Sequence, residues 1–566
     1  MKKGKANSKV IRHITAAVIT AAVYLVMDYI FLPVYNIFST QTWIWTIAAL
    51  FGFGILDMFL QKVLYLQSVV QKKSSQAGQS VVLKMNEEDK GKKNLGKWFA
   101  GTAMAIAVIG VVCYAVSSPV FNAKRYASIA GPIENRDFIA DTPQSETISD
   151  IALMDTNSAR IIGSRAMGSL NELISQFEIN SAYTQINAGG KPLKVTPLEY
   201  ADFFKWANNR SGGIPGYIKV DPVSNTSNYV KLDSPMRYSS SAFFGENLQR
   251  KLRFSYRTAM FGNTYFEIDE NGTPFYITSV LKHDIFLFGG TDVKGVVTLN
   301  PSTGETQYYD IDDVPQWIDI VYDGDMLRQR YNWYGIYNGG FWNSIFGNKD
   351  CKQTTDDFGY KMFDDDVWIF TGVTSVVSDE SNIGFVLINS RTAEVRYYPI
   401  PGAEEYSVMA SAEGEVQHLN YQASFPSVIN VENQPTYIMV LTDKGGLVKQ
   451  YALIHVERYN IVVTADSQQE VMAKYRVALA DSGILLSDTD INSDNSVYTS
   501  YKIAEITYLV QEGNSYAYLV TDKKEILKVE CSKFEKIVLV KPGDKISAAT
   551  AEKEGDTSIV IDFEIE

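Results

Sequence analysis

Three apolar runs in the first 121 residues constrain this chain more than anything that follows them. Ile14 to about Phe38, Trp43 to about Leu66 and Trp98 to Phe121 each reach the ~20 residues that a helix needs to cross a hydrocarbon core. Backbone groups in lipid must bond within their own segment, so each run is expected to be a spanning helix, and residues 1–121 a membrane domain. Residues 1–97 carry 13 Lys and Arg against 5 Asp and Glu, which leaves 39 against 60 for residues 98–566. All of these basic residues but Lys62, near the end of the second run, lie in the N-terminus and in the loop at 67–97, and none lies in the connector Ser39-Thr40-Gln41. The positive-inside rule then predicts a multi-pass protein of the cell membrane, with a cytoplasmic N-terminus and an extracytoplasmic C-terminal domain. An acidic body also excludes nucleic acid as a partner, because phosphates must be neutralised by Lys and Arg. A cleaved signal peptide fits poorly, since two long spans precede the third, and a lipoprotein fits poorly because Val112 precedes Cys113.

Ionisable residues inside spans are costly, which makes Asp28 and Asp57 candidates for an ion path, with helix contacts or protonated burial as the structural alternative. Counted along antiparallel spans, the two are expected at depths about one helical turn apart, so a shared site is open. Gly52 and Gly54 would permit close helix approach and possible self-association through the spans.

In the remainder, Gly295-Val-Val-Thr-Leu-Asn-Pro-Ser-Thr-Gly-Glu-Thr-Gln-Tyr-Tyr-Asp-Ile311 recurs 89 positions later as Gly384-Phe-Val-Leu-Ile-Asn-Ser-Arg-Thr-Ala-Glu-Val-Arg-Tyr-Tyr-Pro-Ile400. Two apolar runs joined by an Asn/Ser/Thr turn describe a β-hairpin, so a duplicated hairpin-bearing unit is expected. Thr264–Ile268 and Pro274–Ile277 precede the first hairpin as strands, and Val367–Thr371 precedes the second. Asn300-Pro-Ser-Thr-Gly-Glu305 after an apolar strand resembles the Asp-x-x-Thr-Gly-Glu hairpin of PepSY domains, with Asn300 for the usual Asp and Ala393 for the turn Gly in the second copy. The resemblance implies small extracytoplasmic α/β modules with a binding, inhibitory or chaperone-like role.

The fold class expected is α+β: a three-helix membrane anchor, then repeated antiparallel β/α units and a C-terminal small β-barrel. Residues 122–147, polar with Gly131-Pro132 and Thr142-Pro143, read as an exposed tether. Residues 148–252 read as a mainly helical α+β region, with helices over Ser158 to about Phe177, Pro197–Asn208 and Ser241–Leu252 and a strand at Tyr217–Val220 after the turn Gly213–Gly216. Residues 253–366 form the first PepSY-like unit, 367–481 the second with a helix at Ser467–Ala480, and 482–500 a polar linker. Residues 501–566 offer strands at Lys502–Val510, Tyr516–Thr521, Glu525–Val529, Lys536–Val540 and Ser558–Phe563, which resemble an OB-like barrel, an SH3-like one being the alternative.

Seven aromatics fall between Arg330 and Phe346, interleaved with Gly and Asn in a pattern that fits neither a helix nor an alternating strand. Tyr331, Trp333, Tyr334, Tyr337, Phe341 and Trp342 are therefore the candidate ligand-binding residues, for stacking on glycan rings, entering a membrane interface or holding a peptide; packing between the repeats is the competing reading. Arg250, Lys251, Arg253 and Arg257 form a basic patch, either a site for phosphate or another anion or a solvated face paired with nearby acids. Catalytic chemistry is poorly supported. His283, His418 and His455 lack a metal-ligand rhythm, the calcium-like run Asp488 to Asn492 lacks its glycine and glutamate, and no cofactor motif is present. Cys351 and Cys531 are expected as free thiols. Asp310, Asp312, Asp313 and Asp364–Asp366 could supply paired carboxylates for acid/base work or oxygen ligands, solvated acidic turns being the alternative. The function expected is that of a membrane-anchored binding or assembly protein of a bacterial cell envelope, its partner a protein or glycan. The alternatives are a cell-wall-acting enzyme or an accessory subunit of a transporter.

Overall fold

The computed structural model describes residues 2–75, 95–145, 153–154, 156–168, 173–484, 499–511, 514–531, 534–550 and 557–565. Most of the basic loop at 67–97, most of the linker at 482–500 and the whole calcium-like run lie outside these residues. The protein is a mixed α+β chain with three apolar N-terminal helices, Lys2–Phe31, Thr40–Ser75 and Leu95–Ser117, each long and apolar enough to cross a membrane. The second and third cross closely at two glycines. A Cβ on Gly54 would stand 2.8 Å from the Gly96 carbonyl oxygen, and one on Gly96 would stand 2.7 Å from that of Gly54. Gly54 thus serves a contact within the chain, whereas Gly52 has nothing within 4 Å.

The third span stops at Ser117, short of the expected Phe121, because Pro119 opens a new helix, Pro119–Ser128, that bends at Asn122. The tether expected at 122–147 is instead part of the body. Ala123, Tyr126 and Ala127 are buried, Ile133–Asn135 pairs in parallel with Val395–Tyr397, and Phe138 is 1% exposed between Phe385 and Tyr398. Three buried aromatic and alanine contacts outweigh the polar residues that surround them in sequence.

The body is a row of sheets. The first has strands Phe177–Ile179, Thr184–Asn187, Pro192–Tyr200, Ile214–Asp221 and Thr226–Met236. The region at 148–252 is therefore richer in strand than expected, with the expected strand Tyr217–Val220 inside Ile214–Asp221 and helices at Thr156–Gly168, Phe203–Asn209 and Leu248–Ser255. The helix expected from Pro197 begins only at Phe203, where Asp202 accepts from the Lys205 amide at 2.9 Å; Pro197 and Tyr200 lie in a strand. The second sheet runs Thr306–Asp310, Gly289–Leu299, Pro274–Ile285, Met260–Ile268 in spatial order. The third is built on Asp366–Ser375, Ser378–Asn389 and Val395–Tyr398, and the fourth on Gln434–Thr442 and Val448–His455. The helix Gln468–Asp481, capped by Ser467, closes the fourth sheet through Val471, Met472, Tyr475 and Leu479.

Alternation along the strands assigns each face to a neighbour. Val296 faces the third sheet while Val297 and Leu299 face the first; Phe385 and Leu387 face the fourth sheet while Val386 and Ile388 face the second. Positions 89 apart therefore point the same way along the row. Their turns agree too. Asn300 Oδ1 accepts from the amides of Ser302 and Thr303 at 2.9 and 3.1 Å, and Asn389 Oδ1 from those of Arg391 and Thr392 at 2.8 and 2.9 Å. Gly304 has φ +76°, and Ala393 holds the same left-handed turn at φ +60° at the steric cost a Cβ imposes there.

The last five strands close in the order Thr499–Gln511, Asn514–Thr521, Ile526–Glu530, Thr557–Ile565, Lys545–Thr550. The segment expected as the fourth strand, Lys536–Val540, is instead a 3-10 turn at Glu535–Leu539. Lys545–Thr550 takes its place, with Ile546 and Ala548 alternating inward.

Candidate functional site

The elements with the most unusual chemistry meet where the spans enter the body. Asp28, three residues before the end of the first apolar stretch, accepts from Arg257 Nη1 at 2.9 and 3.1 Å and from the Tyr35 hydroxyl at 2.5 Å. The Tyr35 amide donates to the Arg257 carbonyl at 3.0 Å, and Asn36 Nδ2 to that of Thr258 at 2.9 Å. Arg250 lies 4.3 Å over the Tyr29 ring, donating to the carbonyls of Phe244 at 2.8 Å and Tyr29 at 3.4 Å. The basic patch at 250–257 is thus divided among separate partners, and the expected pairing with an acid holds for Arg257 with Asp28. Arg250 and Arg257 hold the first span, Lys251 stands over Tyr238 and Arg253 is buried against the Tyr256 and Ala259 carbonyls.

The other two spans join through the tip of the hairpin formed by Pro274–Ile285 and Gly289–Leu299. Phe288 packs edge-on against Trp43 at 5.7 Å, and its amide donates to Ser117 Oγ at 3.2 Å. A Cβ on Gly289 would stand 2.4 Å from the Ser117 carbonyl oxygen, so glycine alone permits this approach. Asp57 belongs elsewhere. It is fully buried, accepting from Arg12 Nε at 2.9 Å with His13 Nδ1 at 2.8 Å, near the opposite end of the first span. Asp28 and Asp57 share no site, and each has its own cationic partner.

The aromatic stretch contains a helix, Gly324–Tyr337, started by Asp323, whose carboxylate accepts from the amides of Asp325 and Met326 at 2.9 and 3.3 Å. The sequence pattern hid it because it is buried on two sides. Tyr331 is 0% exposed between the second and third sheets, with Tyr334 beside it at 6.2 Å. Trp333 and Tyr337 pack on Tyr126 at 5.0 and 6.3 Å, and the Tyr126 hydroxyl donates to the Ser117 carbonyl at 2.9 Å. Lys352 sits 3.9 Å over Tyr397, and burial holds its pKa below the usual lysine value. Phe341 is half-buried, and only Trp342 among the six candidates is freely accessible, stacked on Phe346 at 5.8 Å. Tyr331, Trp333, Tyr334 and Tyr337 therefore join the body to the third span or its interior, while Phe341 packs on Trp342 at 5.4 Å, and the six do not make one binding platform.

The candidate carboxylates are also dispersed. Asp310 accepts from the Tyr308 hydroxyl at 2.8 Å, Asp364 from Arg396 at 2.9 Å, and Asp366 from Arg391 at 2.9 and 2.7 Å and from Asn389 at 2.8 Å. Asp312 and Asp313 lie exposed in a 3-10 turn. Sequence reasoning missed two acids. Glu267 is fully buried, accepting from the amides of Asp319 and Ile320 at 2.9 and 3.0 Å, and the nearby Asp319 accepts from the Asn187 amide at 2.7 Å. By alternation with Phe266 and Ile268, Glu267 reads as a solvent-facing strand position; the loop at 315–322 covers it. Burial raises both carboxyls, and the charge of Glu267 raises Asp319 further. A raised carboxyl binds its proton more tightly in the folded state, so its contribution is complete below the unfolded value of ~4 and is lost as pH rises through the folded one. The expected result is a melting temperature that falls from pH 5 to pH 8, followed by circular dichroism. Asp319→Asn, which removes one charge and keeps an acceptor for Asn187, should flatten that slope; an unchanged slope would exclude this pair as its source.

A cleft of about 460 Å³ lies between Ile162, Arg165 and Ser227 on one side and Leu447, Lys449 and Asp466 on the other. It touches none of the residues above.

No protein-family model matches the chain, and no curated protein matches it. Among solved structures, a putative glycoside hydrolase from Parabacteroides distasonis aligns at 9% identity over 61% of this chain and 83% of its own, with a TM-score of 0.16. A Trypanosoma rangeli sialidase in complex with 2,3-difluorosialic acid aligns at 8% identity over 69% of this chain and 53% of its own, with a TM-score of 0.14. Scores this low carry neither fold nor function to this protein.

Proposed function

We propose that this is a membrane-anchored protein of a bacterial cell envelope whose extracytoplasmic body binds or assembles another envelope component, protein or glycan. The N-terminus and the 67–97 loop are cytoplasmic in this reading, on the charge split between head and body. The observation that carries it is an exposed apolar patch on the C-terminal barrel. Tyr508, Val510, Val538 and Leu539 are 51%, 68%, 67% and 63% exposed, and the Tyr508 hydroxyl reaches the Ile537 carbonyl at 3.4 Å. Contiguous apolar surface of this kind marks an interaction site. The strand order supports the OB-like reading of this barrel, since its first strand pairs with the second and the fourth, and its third and fifth run parallel. The patch adjoins the turn between the first two strands, a binding region of such barrels. The matched turns and facing of the two hairpins support a duplicated, PepSY-like unit. Commitment of Asp364 and Asp366 to arginines, and of Asp28 and Asp57 to separate cations, favours binding over catalysis or transport.

The test is a photo-crosslinking amino acid at Val538 in the full-length protein in its native membrane. One dominant adduct, abolished by Val510→Asp, supports the proposal, and its sensitivity to protease or to cell-wall hydrolase tells protein from glycan. Absence of any adduct in stably inserted protein would remove the patch, and this reading with it.

A further inference from the structure

We propose that the body rests on the lipid interface of the membrane its spans cross, held there by two apolar feet placed on either side of the helical head. The first is an aromatic cluster around Trp206. Phe203, Phe204, Phe243 and Phe244 pack on one another and on that indole with centroids 5.0 to 6.4 Å apart, yet are 40%, 72%, 38% and 55% exposed. Their level is set by one guanidinium. Arg250 bonds the Phe244 carbonyl and the Tyr29 carbonyl together, and Tyr29 lies two residues below the end of the first span, so these rings stand at the depth where that span leaves the hydrocarbon.

The second foot is Trp342, Ile345 and Phe346, exposed by 66%, 54% and 79%. The aromatic helix descends to them. Its last residue, Tyr337, packs on Tyr126, which is bonded to Ser117, the final residue of the third span. Beside this foot Val377, 71% exposed, caps the third sheet's hairpin, and the Val376 amide faces the Cys351 carbonyl at 3.5 Å. Between the feet, the Phe286 tip is 50% exposed next to Phe288 on Trp43. Lys124 and Arg125 are exposed about two turns beyond the third span, where anionic headgroups would meet them.

Lipid is the occupant that fits. Both feet are continuous with span ends, and aromatic rings with nearby cations are the side chains that settle at a headgroup boundary. The reading holds whichever way the chain is oriented, so it stands apart from the barrel's partner.

The test is spin labelling of full-length protein in phosphatidylcholine–phosphatidylglycerol vesicles, with Cys113, Cys351 and Cys531 replaced by Ala. Labels go at Phe204→Cys, Phe346→Cys and, as control, Asn271→Cys, exposed in the turn at the other end of the strand Pro274–Ile285, about 35 Å away at ~3.3 Å per residue. Collisions with oxygen should exceed those with a soluble nickel chelate at 204 and 346, and the ratio should reverse at 271. Nickel access at 204 and 346 equal to that at 271 would overturn the proposal. Shielding from both reagents would overturn it as well, assigning the feet to contacts with a second copy of this chain.

Discussion

Asp57→Leu is expected to cost the helical head about 3–5 kcal/mol, the scale for removing one member of a buried ion pair. The carboxylate has no solvent exposure and stands against both Arg12 and His13, so its loss leaves a guanidinium without a counter-charge at the edge of lipid. Asp57→Asn keeps an acceptor and should cost less. The decisive measurement is a double-mutant cycle with Arg12→Leu in detergent unfolding: the double variant should be more stable than the sum of the single losses predicts. Strict additivity would mean that the two side chains do not act as a pair. The cycle also separates structure from transport, since an ion-carrying Asp57 would not be rescued by deleting Arg12.

Arg330→Met should be the next most damaging change, at about 3 kcal/mol. Arg330 ties three elements together: it pairs with Asp292 beside the hairpin tip, donates to the Ile129 carbonyl at 2.7 Å after the juxtamembrane helix, and covers Tyr322 at 4.9 Å. Burial already pushes the Asp292 carboxyl up, and Arg330 is the main force opposing that. Without it the acid would be forced to ionise alone or take a proton, so the loss should be larger at pH 8 than at pH 5. Equal losses at both pH values would assign the effect to packing on Tyr322 and not to charge.

How far such elements can be read from sequence depends on what buries them. The spans are legible because lipid imposes one requirement on every residue of a run. The two hairpins are legible because period-two alternation and an Asn-initiated turn act locally; Asn300 and Asn389 close their turns with neighbours three residues away. The helix at Gly324–Tyr337 was not, because its Tyr331 faces sheets from 277 and 369 onward while its Trp333 faces Tyr126, so no single apolar stripe exists. The tether was misread for a related reason: Phe138 is buried by Phe385 and Tyr398, some 250 positions away. The burial of Glu267 and the partner of Arg257 carry no local signal at all. Glu267 is buried by a later loop, and Arg257 finds its acid in the first span.

The parallel strand Ile133–Asn135 sets an order of events in time. Its partner, Val395–Tyr397, leaves the ribosome roughly 260 residues later, which at ~5–20 residues per second is about 13–50 s. Throughout that interval the strand nearest the third span waits with one edge open while the two intervening sheets are still being made. A chain arrested before residue 395 should therefore remain a protease-sensitive nascent form, and the same segment should become resistant only after the second hairpin has emerged.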